Sequence, residues 1–271
     1  MRVSRPSAER APSDDGVIAF RRRGVTIREV YFDPGAVDAR GRARTDLLRI
    51  VAAYSPPSER GSRKRHTLVI DLTQDEDRVL HQMSKDTRSK IRRAMQKDPL
   101  EVAAAPDPSE AQVDEFADFY DRFAAAQSVA PAFRPRLHAL ARGGNLVLTS
   151  AAGEHGEALV HHAYVAARGR GYMIYSGSVL AQSADSRVRN LVGRANRYLH
   201  WHDISLFKQR EFEIYDFGGL DVEERNPKTA GIARFKRGFG GEVRAVYSST
   251  SARSLRGAVV QRILALRGVD F

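Results

Sequence analysis

A segment near the end of the chain, from Tyr215 to Val243, concentrates residue types that can stabilise negative charge. It reads "YDFGGLDVEERNPKTAGIARFKRGFGGEV" and holds two adjacent-glycine pairs and a lysine among phenylalanines and glycines. A lysine in such surroundings can be partly desolvated and can direct its charge at a developing oxyanion or a phosphate. We therefore predict a catalytic role for Lys236, although a solvated surface lysine would give the same pattern.

The same segment places a carboxylate directly before a glycine pair. Asp216 lies at the end of a predicted strand, and Gly218 and Gly219 follow it. A carboxylate and exposed backbone N–H groups would then meet where the sheet opens, which is a common location for ligands. Paired glycines allow positive φ and close approach of a substrate, although a tight turn after a strand needs them equally. We predict a catalytic role for Asp216 and substrate contacts for Tyr215, Gly218, Gly219 and Asp221.

The charge balance indicates the kind of partner. Basic residues outnumber acidic ones by 44 to 33, which leaves a formal net charge of +11. This suits a polyanion such as nucleic acid, a phosphorylated substrate or an acidic carrier protein, unless arginine serves only for solubility. The residues that we expect to contact phosphates lie on two predicted helices and in the glycine-rich segment: Arg88, Lys90, Arg92, Arg93, Arg189, Arg194, Arg197 and Arg237.

Composition and spacing exclude several other kinds of chemistry. The chain has no cysteine, which excludes disulfides, thiolate metal ligands and cysteine nucleophiles. Consecutive His161 and His162 in a strand would point to opposite faces, and His200 and His202 would diverge on a helix, so we predict no metal site. No apolar run approaches the roughly 20 residues of a membrane-spanning helix, and the polar start has no apolar core for a secretory signal. We expect a cytoplasmic protein without a membrane span.

The elements that must position these residues begin with strands. Residues 1–16 are expected to form a disordered tail, and "GVIAFRRRGVTIREVYFDPG" alternates apolar and polar residues as a hairpin does. "RTDLLRIVAAY" is predicted to be an amphipathic helix, and residues 55–66 form a Pro-, Gly- and charge-rich connector before the strand "TLVIDL".

The remainder alternates between helices and strands. The pattern is helical from Asp75 through residue 97, a strand follows at 100–104, and a helix starting near Asp107 carries a phenylalanine stripe that we predict to be core. "NLVLTSA", "EALVHHAYVAARG" and "GYMIYSGSV" predict an antiparallel meander. A helix, the strand "EFEIYDF", a short helix, the strand "EVRAVYSS" and a terminal helix complete the chain. This order predicts an α/β fold with a mixed, largely antiparallel sheet flanked by helices.

The pairing of "YDFGGLD" with "GIARFKRGFGG" resembles the carboxy-terminal signature of the Fem-type aminoacyltransferases, tRNA-dependent enzymes built on the GNAT acyltransferase fold. "SKDTRSKIRRAMQK" resembles the same family's Arg-x-x-Ile-Arg-Lys-Ala helix, and "VYFDPGAVDARGRARTDLLRIV" resembles its Pro-Gly-Pro segment more loosely. Tyr175 and Ser176 fall where that family has a strand ending in a small-residue turn. The match runs in order from roughly residue 30 to residue 245.

The resemblance implies a GNAT-like domain at residues 67–250, preceded by a truncated remnant of a first such domain at 17–66 and followed by a C-terminal helix at 251–271. It implies transfer of an amino acid from aminoacyl-tRNA to an amine acceptor, forming an amide bond without a cofactor. The oxyanion or ester-polarising role falls on Phe235 and Lys236, and Asp216 becomes a candidate proton relay. Tyr175 and Ser176 become candidate substrate contacts, and the basic residues named above become candidate tRNA contacts.

The chain is shorter than family members with two complete GNAT-like domains, so its acceptor need not be a cell-wall precursor. A small molecule, or a peptide on a carrier protein, in antibiotic biosynthesis fits a single-domain relative. One alternative is a GNAT N-acyltransferase that uses acetyl-CoA or a carrier-protein thioester, whose Q/RxxGxG/A loop is approached only by "NLVGRA" at residues 190–195. Another alternative is a non-catalytic GNAT-fold protein that binds tRNA.

Overall fold

One continuous ten-stranded sheet organises the computed structural model, which describes residues 15–35, 45–57, 61–179, 185–223 and 226–266. In chain order the strands are β1 (Val17–Arg22), β2 (Val25–Tyr31), β3 (Leu47–Ala53), β4 (Arg63–Asp71), β5 (Glu101–Ala105), β6 (Leu146–Ala152), β7 (Ala158–Ala167), β8 (Arg170–Ser178), β9 (Ile214–Leu220) and β10 (Glu242–Ala252). Their order across the sheet is β1-β2-β3-β10-β4-β9-β8-β7-β6-β5.

Neighbouring strands are antiparallel except for two parallel pairs, β2 with β3 and β8 with β9. The described helices are α1 (Glu76–Gln82), α2 (Lys85–Lys97), α3 (Glu110–Gln127), α4 (Arg134–Arg142), α5 (Ser186–Gln209), α6 (Pro227–Arg237) and α7 (Leu255–Leu266). The predicted α/β class with a mixed, largely antiparallel sheet flanked by helices is confirmed.

Apolar residues bury both faces of this sheet. On one face, Val113 and Phe116 of α3 and Leu137 and Leu140 of α4 pack against residues of β1, β2, β6 and β7. On the other face, α1, α2, α5 and α6 pack against β4, β8 and β9. The two helix layers therefore hold opposite sides of the strand pair β8 and β9.

Side-chain caps set the ends of the helices around the sheet. The pattern predicted one helical stretch from Asp75 to residue 97, but Met83 and Ser84 are extended and separate α1 from α2. The Ser84 hydroxyl accepts from the Thr87 N–H, as an N-cap does, and the Ser84 N–H donates to the Gly238 carbonyl at 2.9 Å. The start of α2 is thereby attached to the turn that follows α6.

The prediction of a helix for "RTDLLRIVAAY" is wrong, because residues 47–53 form strand β3. β3 lies between β2 and β10, and every residue in it except Arg49 is buried. A strand buried on both faces shows no apolar–polar alternation, so its sequence resembles that of a buried helix.

The hairpin β1–β2 and the meander β6–β7–β8 are confirmed. The predicted connector at 55–66 ends early because Arg63–His66 begin β4, and residues 58–60 lie outside the described chain. Of the predicted tail only Asp15 and Gly16 are described, and the Gly16 carbonyl accepts from the Tyr31 N–H. The predicted C-terminal helix begins at Leu255, after β10. None of the described helices is both long and apolar enough to cross a membrane.

Candidate active site

The parallel strands β8 and β9 part in the middle of the sheet. They pair at three positions, from Arg170 opposite Ile214 to Tyr172 opposite Asp216. Beyond that point β8 continues to Ser178 and β9 to Leu220, and these described residues add no further pair. The gap lies at the carboxyl ends of both strands, where open α/β sheets bind ligands.

Gly218 forms the edge of this gap and cannot be another residue without strain. Its φ is +69°, and a Cβ would lie 2.6 Å from the Met173 carbonyl oxygen of β8. Gly219 is exposed, and a Cβ there would meet nothing within 4 Å. The two glycines therefore differ: Gly218 permits close contact between the strands, and Gly219 faces open space.

The Asp216 carboxylate is fully buried and holds this turn in place. It accepts hydrogen bonds from Arg170 Nε at 2.8 Å, from the Gly218 N–H at 2.8 Å and from the Thr67 hydroxyl. Arg170 and Thr67 are not among the predicted site residues, because they lie 46 and 149 positions away in the chain. Because this buried carboxylate is already held by donors from Arg170, Gly218 and Thr67, its geometry favours a positioning role over the predicted proton relay.

Arg170 connects the site to strand β3. Its Nη1 donates to the Ala52 carbonyl at 2.8 Å, and its guanidinium lies over the rings of Phe32 and Tyr54 at 4.5 and 4.3 Å. The side chain is almost completely buried. A buried charge is tolerated only when it is paired and hydrogen-bonded, and Asp216 supplies the opposite charge here.

The Lys236 ammonium lies against the backbone of the glycine turn. Its Nζ donates to the carbonyl oxygens of Gly219 at 2.7 Å, Phe217 at 2.8 Å and Gly218 at 3.4 Å. Burial lowers the Lys236 pKa to about 8, against the opposing attraction of Asp216. The contact with Gly218 is the longest of the three, and the single hydroxyl proton of Thr67, whose oxygen lies 2.7 Å from the Gly218 oxygen, is shared between that oxygen and Asp216. The N–H of Lys236 that is directed at Gly218 is therefore the one that can most easily donate to a substrate oxygen instead.

Phe235 packs α6 against α5, and its described ring contacts are to other side chains of these elements and of the turn after α6. Its ring lies 5.4 Å from that of Phe239 and 5.5 Å from that of His200, and the Arg197 guanidinium lies over it at 4.8 Å. Burial lowers the Arg197 pKa, so the stacked charge is partly desolvated. Phe235 thus brings a basic residue of α5 next to the helix that carries Lys236.

Tyr215, predicted to contact substrate, lies in the core. Its side chain is fully buried, and its hydroxyl bonds to His200 Nδ1 at 2.6 Å and to the Tyr164 hydroxyl at 2.8 Å. Tyr164 in turn donates to Asp203 at 2.6 Å. The prediction for Tyr215 is corrected, because strand alternation points its ring into the core that packs under α5.

Three buried residues of this network could offer ligand atoms to a metal. Atoms of His162, His200 and Asp203 lie within 4.8 Å of one another in the described part of the chain. His162 bonds instead to Asp203 and, through Nε2, to Asn196 at 3.0 Å. Because hydrogen bonds already engage these atoms, the cluster serves as a structural link between β7 and α5. His161 points to the opposite face, as predicted, and stacks on Phe119 at 4.3 Å.

The remaining predicted substrate residues lie around the gap. The Tyr175 hydroxyl accepts from the Phe133 N–H at 3.2 Å, which places this ring on the face of α3 and α4. Ser176 lies on β8 opposite His162 and is partly buried. Asp221 follows β9 and accepts from the Thr229 hydroxyl at 2.7 Å, so it orients the start of α6.

Five of the eight predicted phosphate contacts line one groove between α2 and α5. The groove has a volume of about 380 Å³, and its basic lining consists of Lys90, Arg93, Arg189, Arg194 and Arg197. Arg194 is committed to Asp98 through two hydrogen bonds of 2.5 and 2.8 Å. Lys90 is paired with Asp86, which also lines the groove, at 2.9 Å. The basic residues still outnumber the acidic ones, so the groove keeps a positive wall suited to a phosphate backbone.

The other three predicted phosphate contacts lie elsewhere. Arg88 donates to the carbonyls of His81 at 2.8 Å and Met83 at 2.6 Å, so it closes the end of α1. Arg92 and Arg237 are exposed and do not line the groove. Five of the eight basic residues thus line the groove, and the other three do not.

Comparison with known proteins gives the fold a name. No protein-family model matches the chain, and no curated protein matches it significantly. The structure of FemX matches with a TM-score of 0.59 at 12% identity, over 91% of this chain and 86% of that one. A C-terminal domain (DUF2156) assigned to a lysylphosphatidylglycerol synthetase of Agrobacterium fabrum gives 0.51 at 14% identity, over 92% and 88%. L-PGS from Bacillus licheniformis gives 0.50 at 12% identity, over 90% and 82%.

Sequence identities of 12 to 14% establish a shared architecture and do not establish a shared reaction. The match extends over most of this chain and most of each similar structure. The resemblance to the Fem type is therefore confirmed at the level of structure, and the chain has a GNAT-like fold.

Proposed function

We propose that the protein is an acyltransferase that moves an amino acid from aminoacyl-tRNA to an amine acceptor. The observation that carries this proposal is the half-buried Lys236 ammonium, which lies beside Gly218 at the point where β8 and β9 part. The structural likeness to FemX and to a lysylphosphatidylglycerol synthetase domain supports the same class of reaction.

The proposed chemistry needs positioning and charge stabilisation more than activation. The acceptor nitrogen attacks the ester carbonyl carbon of the charged tRNA, and a C–N bond forms. The bond from that carbon to the ribose oxygen breaks, and the amine proton ends on the ribose oxygen. Lys236 would donate its third N–H to the tetrahedral oxyanion while its other two hold the turn.

A dedicated base is not required for this reaction. An α-amine has an ordinary pKa of roughly 8, so part of it is neutral near physiological pH. The terminal ribose hydroxyl of the tRNA can relay the proton to the leaving oxygen. Asp216 then acts on the reaction only through the turn that it holds. We assign Phe235 the same kind of positioning role for Lys236 and Arg197.

The donor would lie along the groove between α2 and α5. This groove carries Lys90, Arg93, Arg189 and Arg197, and Arg197 reaches the ring of Phe235 next to Lys236. Phosphates in the groove would thus lead toward the proposed reaction centre. A charged tRNA as donor also places the reaction in the cytoplasm.

The alternative donor, an acyl thioester of coenzyme A or a carrier protein, has less support. The sequence "NLVGRA" lies inside α5, where helical hydrogen bonds occupy the backbone N–H groups. The N-cap of α5 is Asp185, whose carboxylate would repel a pyrophosphate. A panel of amine acceptors would distinguish a cell-wall precursor, a small molecule and a carrier-bound peptide of antibiotic biosynthesis.

The test is a donor panel of charged tRNAs, acetyl-CoA and loaded carrier protein, offered with amine acceptors. We expect amide formation from charged tRNA that stops after RNase treatment. Lys236→Ala should lower kcat by about 10² to 10³ with little change in tRNA affinity, whereas Lys97→Ala, an exposed lysine on α2, should change neither. Full turnover with a thioester after RNase would reject the proposal, and tRNA binding without turnover from any donor would favour a non-catalytic protein.

A further inference from the structure

A separate cavity of about 230 Å³ lies on the face of the sheet that carries α3 and α4. Three arginines from three elements form its charged wall: Arg22 of β1, Arg49 of β3 and Arg136 of α4. Its apolar wall consists of Phe20, Ile27, Ala130, Pro131, Phe133 and Tyr175. No acidic residue lines this cavity in the described part of the chain.

One buried carboxylate behind the wall neutralises only part of its charge. Glu29 is fully buried and accepts from Arg49 Nη1 at 2.5 Å, Arg136 Nε at 2.9 Å and the Tyr31 hydroxyl at 2.6 Å. Those contacts leave Arg49 Nη2 and Arg136 Nη1 without a partner among the described residues. Arg49 and Arg136 share this single carboxylate, so together they leave a net positive charge at the cavity wall.

The third arginine, Arg22, is affected by the positive charges around it. The Arg22 guanidinium lies over the Phe133 ring at 4.8 Å. Burial, followed by repulsion from Arg23 and Arg49, lowers the Arg22 pKa. An anion placed among these groups would relieve that repulsion and would accept charge-assisted hydrogen bonds from the planar guanidinium forks.

We propose that this arginine cavity binds a phosphate or carboxylate group of the acceptor. Assigning the anion to the acceptor rests on the proposed function. The cavity is smaller than the roughly 300 Å³ at which pockets enclose a whole small ligand, so it would hold one end of the molecule. The rest of the acceptor would extend toward the reacting amine.

Strand β8 connects this cavity to the gap. Tyr175 lines the cavity and lies two residues after Met173, whose carbonyl oxygen approaches Gly218. Two residues of a strand span about 7 Å, so the separation along β8 is that of a short linker. The ladder between β8 and β9 ends at Tyr172 and Asp216, so the part of β8 that carries Tyr175 runs beside the gap.

The test is calorimetric titration of the full chain with inorganic phosphate and, separately, with succinate, at constant ionic strength and without tRNA. Arg22→Gln removes a cavity charge and leaves in place the hydrogen bonds of Glu29 to Arg49 and Arg136. Arg21→Gln removes the same charge from an exposed neighbour on β1 that does not line the cavity. We expect one anion to bind with a stoichiometry of one, and Arg22→Gln to weaken it by about tenfold or more while Arg21→Gln leaves it unchanged.

Binding of phosphate alone would identify a phosphorylated acceptor, and binding of succinate alone a carboxylated one. Equal weakening by both variants, or the absence of binding by either anion, would overturn the cavity proposal. If Arg22→Gln fails to fold, Ala130→Glu places a carboxylate at the exposed rim and should abolish binding. Intact anion binding in a protein that is inactive with every donor would reject the proposed reaction and retain the cavity site.

Discussion

At the scale of single residues, Lys236 combines a positive charge with burial, two properties that oppose each other. Its ammonium donates to the carbonyl oxygens of Phe217 and Gly219, yet desolvation still lowers its pKa to about 8. A charge held at this cost interacts strongly with an oxyanion, because water competes for it less than at the surface.

This lowered pKa predicts how the rate depends on pH. Lys236 is charged below about pH 8 and neutral above it, so kcat should fall as the pH rises through about 8. Lys236→Arg keeps its charge at every working pH, and we expect its remaining activity to lack that descending limb. The measurement is the kcat profile of both proteins from pH 6 to 10. A descending limb of unchanged position in the variant would show that another group titrates.

The two glycines of the turn offer a matched pair of substitutions. Gly218→Ala forces a side chain into positive φ and against the Met173 carbonyl, and we expect the free energy of unfolding to fall by about 1 to 3 kcal/mol or more, with loss of transfer. Gly219→Ala meets open space and should change stability by less than about 0.5 kcal/mol. Urea unfolding of both variants checks this, and equal stabilities would contradict the role of Gly218 as the strand contact.

How far the sequence predicts the site depends on distance along the chain. Lys236 and Gly218 lie in one short segment, so their association is visible in the sequence. Arg170 reaches Asp216 across 46 positions, and no local pattern marks that pair. We expected Tyr215 to contact substrate and Asp216 to relay a proton. The alternation of side chains along a strand does not reveal that both faces of β9 are covered by other elements.

At the scale of elements, the groove between α2 and α5 is assembled from helices about a hundred residues apart. Lys90 and Arg93 occupy neighbouring turns of one helical face of α2, and Arg189 and Arg197 lie on the facing side of α5. Neither helix alone provides a channel for a phosphate backbone. Their packing creates a groove with a basic lining, in which five of the predicted basic residues converge and three do not.

The groove predicts which arginines contribute to the salt dependence of tRNA binding. Arg93→Gln removes a groove charge and should reduce the slope of log affinity against log salt by about 0.7 to 0.9. Arg92→Gln removes an adjacent exposed charge outside the groove and should leave the slope unchanged. Fluorescence anisotropy with labelled tRNA between about 50 and 200 mM salt measures both. Equal slopes for the two variants would place the tRNA elsewhere.

Periodicity identified amphipathic elements correctly and failed for a doubly buried one. The hairpin β1–β2 has one face in the core, so it alternates and is predicted. β3 is enclosed by β2 and β10, with helices over the sheet, and its apolar run Leu47–Ala53 carries no period. Only the tertiary neighbours decide between strand and helix there.

At the scale of the whole molecule, the first strands are part of the same sheet as the proposed site. β3 pairs with β10, and Ala52 at its end accepts from Arg170. Phe20 and Ile18 of β1 pack in the core with α4. We retain residues 67–250 as the proposed transferase domain and 17–66 as the proposed remnant of a first domain, and we infer that the two segments depend on each other for stability.

This dependence predicts the outcome of truncation. A chain that starts after residue 57 would expose the apolar sides of α4 and β10 and leave the Ala52 contact of Arg170 unmade. We expect it to aggregate or to lack a cooperative unfolding transition, whereas the full chain should unfold cooperatively. Size-exclusion chromatography and thermal unfolding followed by circular dichroism distinguish these results. A monomeric, cooperatively unfolding truncation would establish an independent domain.

The short ladder between β8 and β9 has a mechanical consequence. Among the described residues, the ladder that joins β5–β8 to the other six strands has three residue pairs, and the Gly169 carbonyl adds hydrogen bonds from the N–H groups of Glu213 and Ile214 at its start. The sheet thus has a weakly paired boundary in its interior, and helix α5 packs across this boundary on one side. A molecule bound there would contact both parts of the sheet. Binding would therefore reduce their relative motion, and release of product would restore it.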